Sequence, residues 1–266
     1  MSVVPRPAAT LVLMREPAAG SGPPEVLLVR RPQSAPFAAG ASVFPGGAVE
    51  AQDSGQAART ASGEQGQDLA RVLTGSGLSG EEALAYAMAA LRETFEETLL
   101  LLATAESSGT PPRLASEPAW EQARRRMLAS EVSFGDWLRE GGLRPHLDAL
   151  HYFAHWITPE GSPIRFDTRF FAAAAPAGQP VSLDANELEG HEWIAATEAL
   201  RLGGQGNLYL MPPTRVTLER IAPFDSLSAA LEGLVRDPVR PVMPRAVVDA
   251  SGRRTMLFPG DPGYDA

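Results

Sequence analysis

Apolar residues fall into short, nearly continuous runs over the first fifty positions and into a helical stripe after that. Ala8 to Met14 and Glu25 to Arg30 are Leu- and Val-rich and of strand length, parted by a loop rich in Pro, Gly and Ala from Glu16 to Pro24. Ser42-Val43-Phe44 then runs into a Pro45-Gly46-Gly47 turn. Residues 54 to 78 are mostly Gly, Ser, Gln, Ala and Thr without periodicity, which predicts a surface insertion. Ser79 and Glu82 form a capping-box signature. Behind it Leu84, Met88, Leu91, Phe95, Leu99 and Leu102 recur every 3 or 4 positions, which predicts one helix running to about Leu102.

Residues 116 to 149 read as helical, anchored by Trp120, Met127, Leu128, Trp137 and Leu138. Two strands follow, His151 to Thr158 and Arg165 to Ala174, then a short one from Glu192 to Ala195. Helices are predicted from Ala196, from Thr214 to Ile221 behind Pro212-Pro213, and from Ser226. The tail beyond Arg236 holds five prolines and one candidate hairpin, Ala246 to Asp249 with Arg254 to Phe258 around Ser251-Gly252.

Composition narrows the chemistry. The net charge is -9, which disfavours nucleic acid as a partner because phosphate backbones attract basic surfaces. There is no cysteine, so disulfides and thiolate chemistry are excluded. All 23 basic residues are arginine, which removes phosphate-binding and Schiff-base lysines. No apolar run is long enough to span a membrane, and no signal-peptide pattern opens the chain, so a cytoplasmic location is expected.

The candidate chemistry lies in Arg92-Glu93-Thr94-Phe95-Glu96-Glu97. Glutamates at i, i+3 and i+4 share a helix face, and their mutual repulsion would be relieved by a hard divalent cation. Alone, such a face is an ordinary solvated one, and Pro45-Gly46-Gly47 alone is only a turn. His151 and His155 share a strand face and read as structural, Arg124-Arg125-Arg126 as an exposed helix face, and Trp120 and Trp137 as core.

Taken together, these segments resemble the Nudix hydrolases, whose box reads Gly-x5-Glu-x7-Arg-Glu-U-x-Glu-Glu-x-Gly-U, with U apolar. Gly47, Arg92, Glu93, Glu96 and Glu97 match, and Asp53 stands where the box has its first glutamate. Thr94 takes an apolar position and Leu99 the closing glycine. The spacer between Asp53 and Arg92 is 38 residues rather than 7, an insertion of 31, which loop-closure entropy tolerates. An insertion there is a feature of the branch containing the mammalian peroxisomal coenzyme A diphosphatase. Trp156-Ile157-Thr158-Pro159, Arg165 to Phe171 and Leu210-Met211-Pro212-Pro213 are similar to that branch as well. A coenzyme A signature found in related enzymes maps onto Leu27 to Gly47, matched at Leu27, Leu28, Arg31, Gly40 and Phe44 to Gly47 but not at Val29, Pro32 or Pro36.

The resemblance implies an α/β/α sandwich around a mixed sheet: one Nudix domain over 1–235, with insertions at 54–80 and 105–149 and a proline-rich tail over 236–266. It implies Mg²⁺ or Mn²⁺ held by Glu93, Glu96 and Glu97 with the Gly47 carbonyl. Arg92 would orient the glutamates, either Glu93 or Glu187 would be the base, and Arg31, Arg165 and Arg169 would bind substrate. The expected substrate is a small nucleoside diphosphate derivative, first coenzyme A or acyl-coenzyme A, then ADP-ribose or a dinucleoside polyphosphate. A catalytically silent nucleotide- or partner-binding scaffold is the reading of another class. No nucleic acid or membrane partner is expected, and a homodimer is left open.

Overall fold

The computed structural model describes residues 3–18, 20, 22–63, 73, 77–110, 112, 117–248 and 254–264. The chain begins with strands β1 (Arg6–Arg15), β2 (Glu25–Arg30), β3 (Ser42–Val43) and β4 (Gly46–Ala48). Two short helices, α1 (Ala51–Ser54) and α2 (Gln56–Ser62), precede the long α3 (Gly80–Thr98). Strand β5 (Ala103–Ala105), helices α4 (Glu117–Leu128) and α5 (Phe134–Glu140), strand β6 (Leu143–Pro145) and a 3₁₀ turn (Leu147–Ala149) come next. Then follow β7 (His151–Ile157), β8 (Phe166–Ala174), β9 (Gly190–Ala195), α6 (Ala196–Gly204), α7 (Pro212–Ile221) and α8 (Leu227–Leu234). The tail adds β10 (Pro241–Val242), β11 (Arg245–Val248) and β12 (Arg254–Leu257).

The main sheet runs β10-β7-β8-β1-β2-β3, with β4 added to β1 and β9 to β2. It is mixed: β1 with β8 and β10 with β7 are parallel, and the other pairs are antiparallel. The unbroken Leu11-Val12-Leu13-Met14 run of β1 is explained by its place at the centre, buried on both faces. Leu11 and Leu13 join α3 and the insertion helices in one core, and Val12 and Met14 join α6 to α8 in the other. The expected sandwich is the observed fold.

Strand β1 changes partner along its length. Ala8, Ala9 and Thr10 pair with β4, whereas only Met14 and Arg15 pair with β2. The sheet therefore forks beside the Pro-Gly-Gly turn, and α3 packs over that fork.

Several sequence expectations need correction. Helix α3 starts on its Ser79–Glu82 capping box but ends at Thr98, not near Leu102, and Leu99 adopts the left-handed conformation at φ 57°. Leu99 to Leu102 are all buried, and four successive apolar residues cannot all face one side of a helix. The start of the 54–78 insertion is a packed layer: α2 lies so close to α5 that a Cβ on Gly135 would meet the Ala57 carbonyl carbon at 2.7 Å. Residues 64–72 and 74–76 of that insertion lie outside the described residues. The 116–149 region is not helical throughout, since β6 pairs with β5. The tail hairpin forms, shifted to Arg245–Val248 with Arg254–Leu257, and its Ser251-Gly252 turn lies outside the described residues.

Candidate active site

Two glycines make the site possible. Gly46 has φ 154°, and a Cβ there would lie 2.3 Å from the Ala9 carbonyl oxygen. A Cβ on Gly47 would lie 2.4 Å from the Glu93 carboxyl. Gly46 thus lies against the β1 backbone and Gly47 against the Glu93 side chain of α3, which is why the turn needs glycine twice. The Gly46 N–H donates to Glu97 Oε2 at 3.0 Å, tying turn to helix.

Arg92 is buried and draws the box together. Its Nε donates to Asp53 Oδ1 at 2.9 Å and Nη2 to Asp53 Oδ2 at 3.0 Å, a bidentate pair that closes the interrupted motif across the insertion. Nη1 donates to Glu93 at 3.0 Å and to Glu96 at 2.7 Å, and Nη2 also donates to the Ala48 carbonyl at 2.9 Å. Burial opposes its charge, but Asp53, Glu93 and Glu96 outweigh that and hold the guanidinium protonated.

Glu93 and Glu97 face a cavity of about 1000 Å³ that Arg31, Gly46, Gly47 and Glu187 also line. Burial first, then Glu96 and Glu187, push the Glu93 carboxyl up to about 7 against the pull of Arg92. Glu97 is raised well above the usual carboxylate range by burial and by Glu93 and Glu187, with the Gly46 amide and Arg31 acting the other way. Burial and Asp184 raise Glu187 too. Anionic oxygens gathered in a desolvated place fit a hard divalent cation. Among the described residues no three acidic or histidine side chains converge closely enough to hold one as they stand. Glu96, bonded to Arg92 through Oε2, does not line the cavity with the other two.

The loop bearing Glu187 is strapped to the end of α3. Ser182 N–H donates to the Thr98 carbonyl at 2.9 Å and Asp184 N–H to the Glu97 carbonyl at 3.1 Å, satisfying carbonyls that a helix end leaves bare. The Asp184 carboxylate accepts the Asn186 amide and side chain, both at 3.0 Å, which shapes the turn carrying Glu187. Arg124, expected on an exposed face, is buried: its Nη1 donates to the Ser182 carbonyl at 2.9 Å, and it pairs with Glu121. Asp184 and Arg124 were not singled out as site residues from the sequence. Arg124 was discoverable, because it stands on the stripe of Trp120 and Met127.

The arginines expected to bind substrate separate. Arg31 lines the cavity and donates to the Phe37 carbonyl at 3.1 Å. Arg165 and Arg169 are buried outside the cavity lining. Arg165 donates to the Thr158 carbonyl at 3.1 Å and the Val3 carbonyl at 2.7 Å. Arg169 meets Asp167 and His155 and lies over the Tyr86 ring, because alternation along β8 sends Phe166, Thr168 and Phe170 into the cavity and Arg169 to the opposite face. His155 pairs with Asp167 at 2.6 Å in that same cluster, outside the cavity lining.

Known proteins resemble this chain over most of its length. The family described as NUDT19 Nudix domain matches residues 70–221, more than half of the chain. The chain belongs to the Nudix hydrolase family. It is similar to the chicken protein named acyl-coenzyme A diphosphatase NUDT19, at 31% identity over 90% of this chain and 74% of that protein. The human protein of that name is 33% identical over 69% of this chain and 52% of its own length, so the chain spans about half of that relative. A Nudix hydrolase structure from Alicyclobacillus acidocaldarius superposes with a TM-score of 0.70 at 28% identity, covering 89% of this chain and 99% of that one. Nudix hydrolases cleave phosphorus-containing anhydrides, generally with divalent metal ions. Among the described residues no helix of this hydrolase is long and apolar enough to cross a membrane.

Proposed function

We propose that this Nudix hydrolase cleaves the diphosphate of coenzyme A or an acyl-coenzyme A, releasing 3′,5′-ADP and a 4′-phosphopantetheine product. The observation that carries the reading is one cavity lined by Gly46, Gly47, Glu93, Glu97, Glu187 and Arg31 together. The names of the chicken and human relatives support the substrate class.

Glu93 and Glu97, with the Gly47 carbonyl and Glu96, would hold Mg²⁺ or Mn²⁺. The cation would supply positive charge against the diphosphate oxygens. Arg92 orients Glu93 through its hydrogen bond and fixes the box to Asp53. Arg31, beside Glu97 and Glu187 in the electrostatics of the site, is placed to meet a phosphate oxygen. Glu187 takes the proton of the attacking water: Glu93 is already engaged by Arg92 and packed on Gly47, whereas Glu187 reaches the cavity from a separate loop.

Purified protein incubated with Mg²⁺ and coenzyme A, octanoyl-coenzyme A, ADP-ribose or diadenosine tetraphosphate, with products weighed by mass spectrometry, tests the reading. We expect 3′,5′-ADP from the two coenzyme A substrates. Glu97→Gln and Glu187→Gln should each lower kcat by on the order of 100-fold or more. Turnover of ADP-ribose or the dinucleotide alone would replace the substrate, and no turnover of any would support a silent scaffold.

A further inference from the structure

The cavity has a second end, built by the part of the chain that the sequence left without a role. Besides the carboxylates it is lined by Trp156, Ile157, Ile164 and Phe166, and by Pro244 and Met256 from the tail. That wall is anchored. Strand β10 continues the sheet beside β7, pairing Pro241 with His155 and Val242 with Trp156. Phe258 meets Trp156 edge-on at 6.2 Å. Tyr264 Oη donates to the Met243 carbonyl at 2.7 Å, and Arg165 Nη2 lies 3.5 Å from Met243 Sδ.

The sheet register gives the spacing of the strands between the Gly47 turn and the β7 strand that carries Trp156. Gly47 pairs with Ala9, Ala9 with Arg169, Arg169 with His155, and His155 with Pro241. From β4 to β7 is three strand spacings and to β10 four, or roughly 14 to 19 Å at about 4.8 Å each. The pantetheine arm of coenzyme A has about a dozen bonds from phosphate ester to sulfur. Two of its links are amides, so its extended reach is that of about four residues, roughly 14 Å. A diphosphate lying at Glu93 and Glu97 therefore leaves the sulfur within reach of Trp156, Pro244 and Met256, which line the same cavity.

We propose that the C-terminal hairpin, through Met256 and Pro244 against Trp156, forms a subsite for the apolar acyl group of an acyl thioester. Met256 is then a specificity-determining residue. The proposal rests on the coenzyme A reading for the placement of the diphosphate, yet it can be tested without hydrolysis.

The probe is S-octanoyl-pantetheine, which carries the arm and acyl group but no diphosphate. Titration calorimetry on the full chain should show binding that weakens at least tenfold in Met256→Glu and is retained in Met256→Leu. In the wild type, amide hydrogen exchange over 243–248 and 254–258 should slow with octanoyl-pantetheine but not with pantetheine, a result that does not depend on any variant folding. In the hydrolysis assay, Met256→Glu should lower the octanoyl-coenzyme A to coenzyme A ratio of kcat/KM at least tenfold. Absence of probe binding, equal binding by Met256→Glu, or protection that leaves the hairpin unchanged would overturn the subsite. Probe binding with hairpin protection but no 3′,5′-ADP from any coenzyme A substrate would overturn the proposed reaction and leave the subsite standing.

Discussion

Gly47 shows how little room the site leaves at the level of single atoms. Its missing Cβ is the space the Glu93 carboxyl occupies. Gly47→Ala should therefore displace that carboxyl and lower kcat on the order of 100-fold, since a misplacement of about 1 Å costs that much, while thermal unfolding shows a folded protein. Leu99 poses the opposite question. A left-handed leucine costs roughly 1–2 kcal/mol, but the side chain is only 3% exposed, and deleting a buried leucine costs roughly 2–5 kcal/mol. Burial wins, so Leu99→Gly should destabilise by about 1–3 kcal/mol in urea unfolding even though glycine suits the conformation. The box residues were legible because their identities and order carry the chemistry. The conformation of Leu99 was not, because the apolar stripe runs through it unbroken and only the packing of Leu100 to Leu102 shows where the helix must stop.

At the scale of elements, the site is a helix, a turn and a loop held to one another by backbone. The loop is fixed to α3 through Asp184, whose N–H reaches the Glu97 carbonyl and whose carboxylate shapes the turn before Glu187. Asp184→Ala should lower kcat about tenfold through Glu187 while leaving KM within about twofold. A fall in stability with kcat unchanged would make Asp184 structural only. The helix start, the two central strands and the glycine turn could be read from caps, runs and turn residues. The strapping of the helix end could not, because Ser182 and Asp184 act through backbone amides more than 80 positions beyond Thr98 and Glu97, the residues they hold. Nor do solvated-face rules place an arginine such as Arg124 inside, although its stripe position does.

Across the whole molecule, the cavity reaches from β4 to the tail, joining segments from both ends of the chain. Removing residues beyond Arg240 deletes β10 and the Phe258 contact with Trp156. We expect a loss of about 3 kcal/mol, seen in a scanning calorimeter as a fall in Tm of roughly 6–12 °C. The sandwich was foreseeable from buried runs alternating with helical stripes. The partnership of the tail with β7 was not, since a two-residue strand leaves no periodicity and its value lies in contacts made far away in sequence.

The hydrogen bond from the Gly46 amide to Glu97 has a use outside chemistry. Because that amide points at one carboxylate oxygen, its proton and nitrogen resonances will follow the charge carried there. Cation titration watched at Gly46 by NMR would therefore report, from a single backbone signal, the moment Glu97 changes partner. No label need enter the cavity.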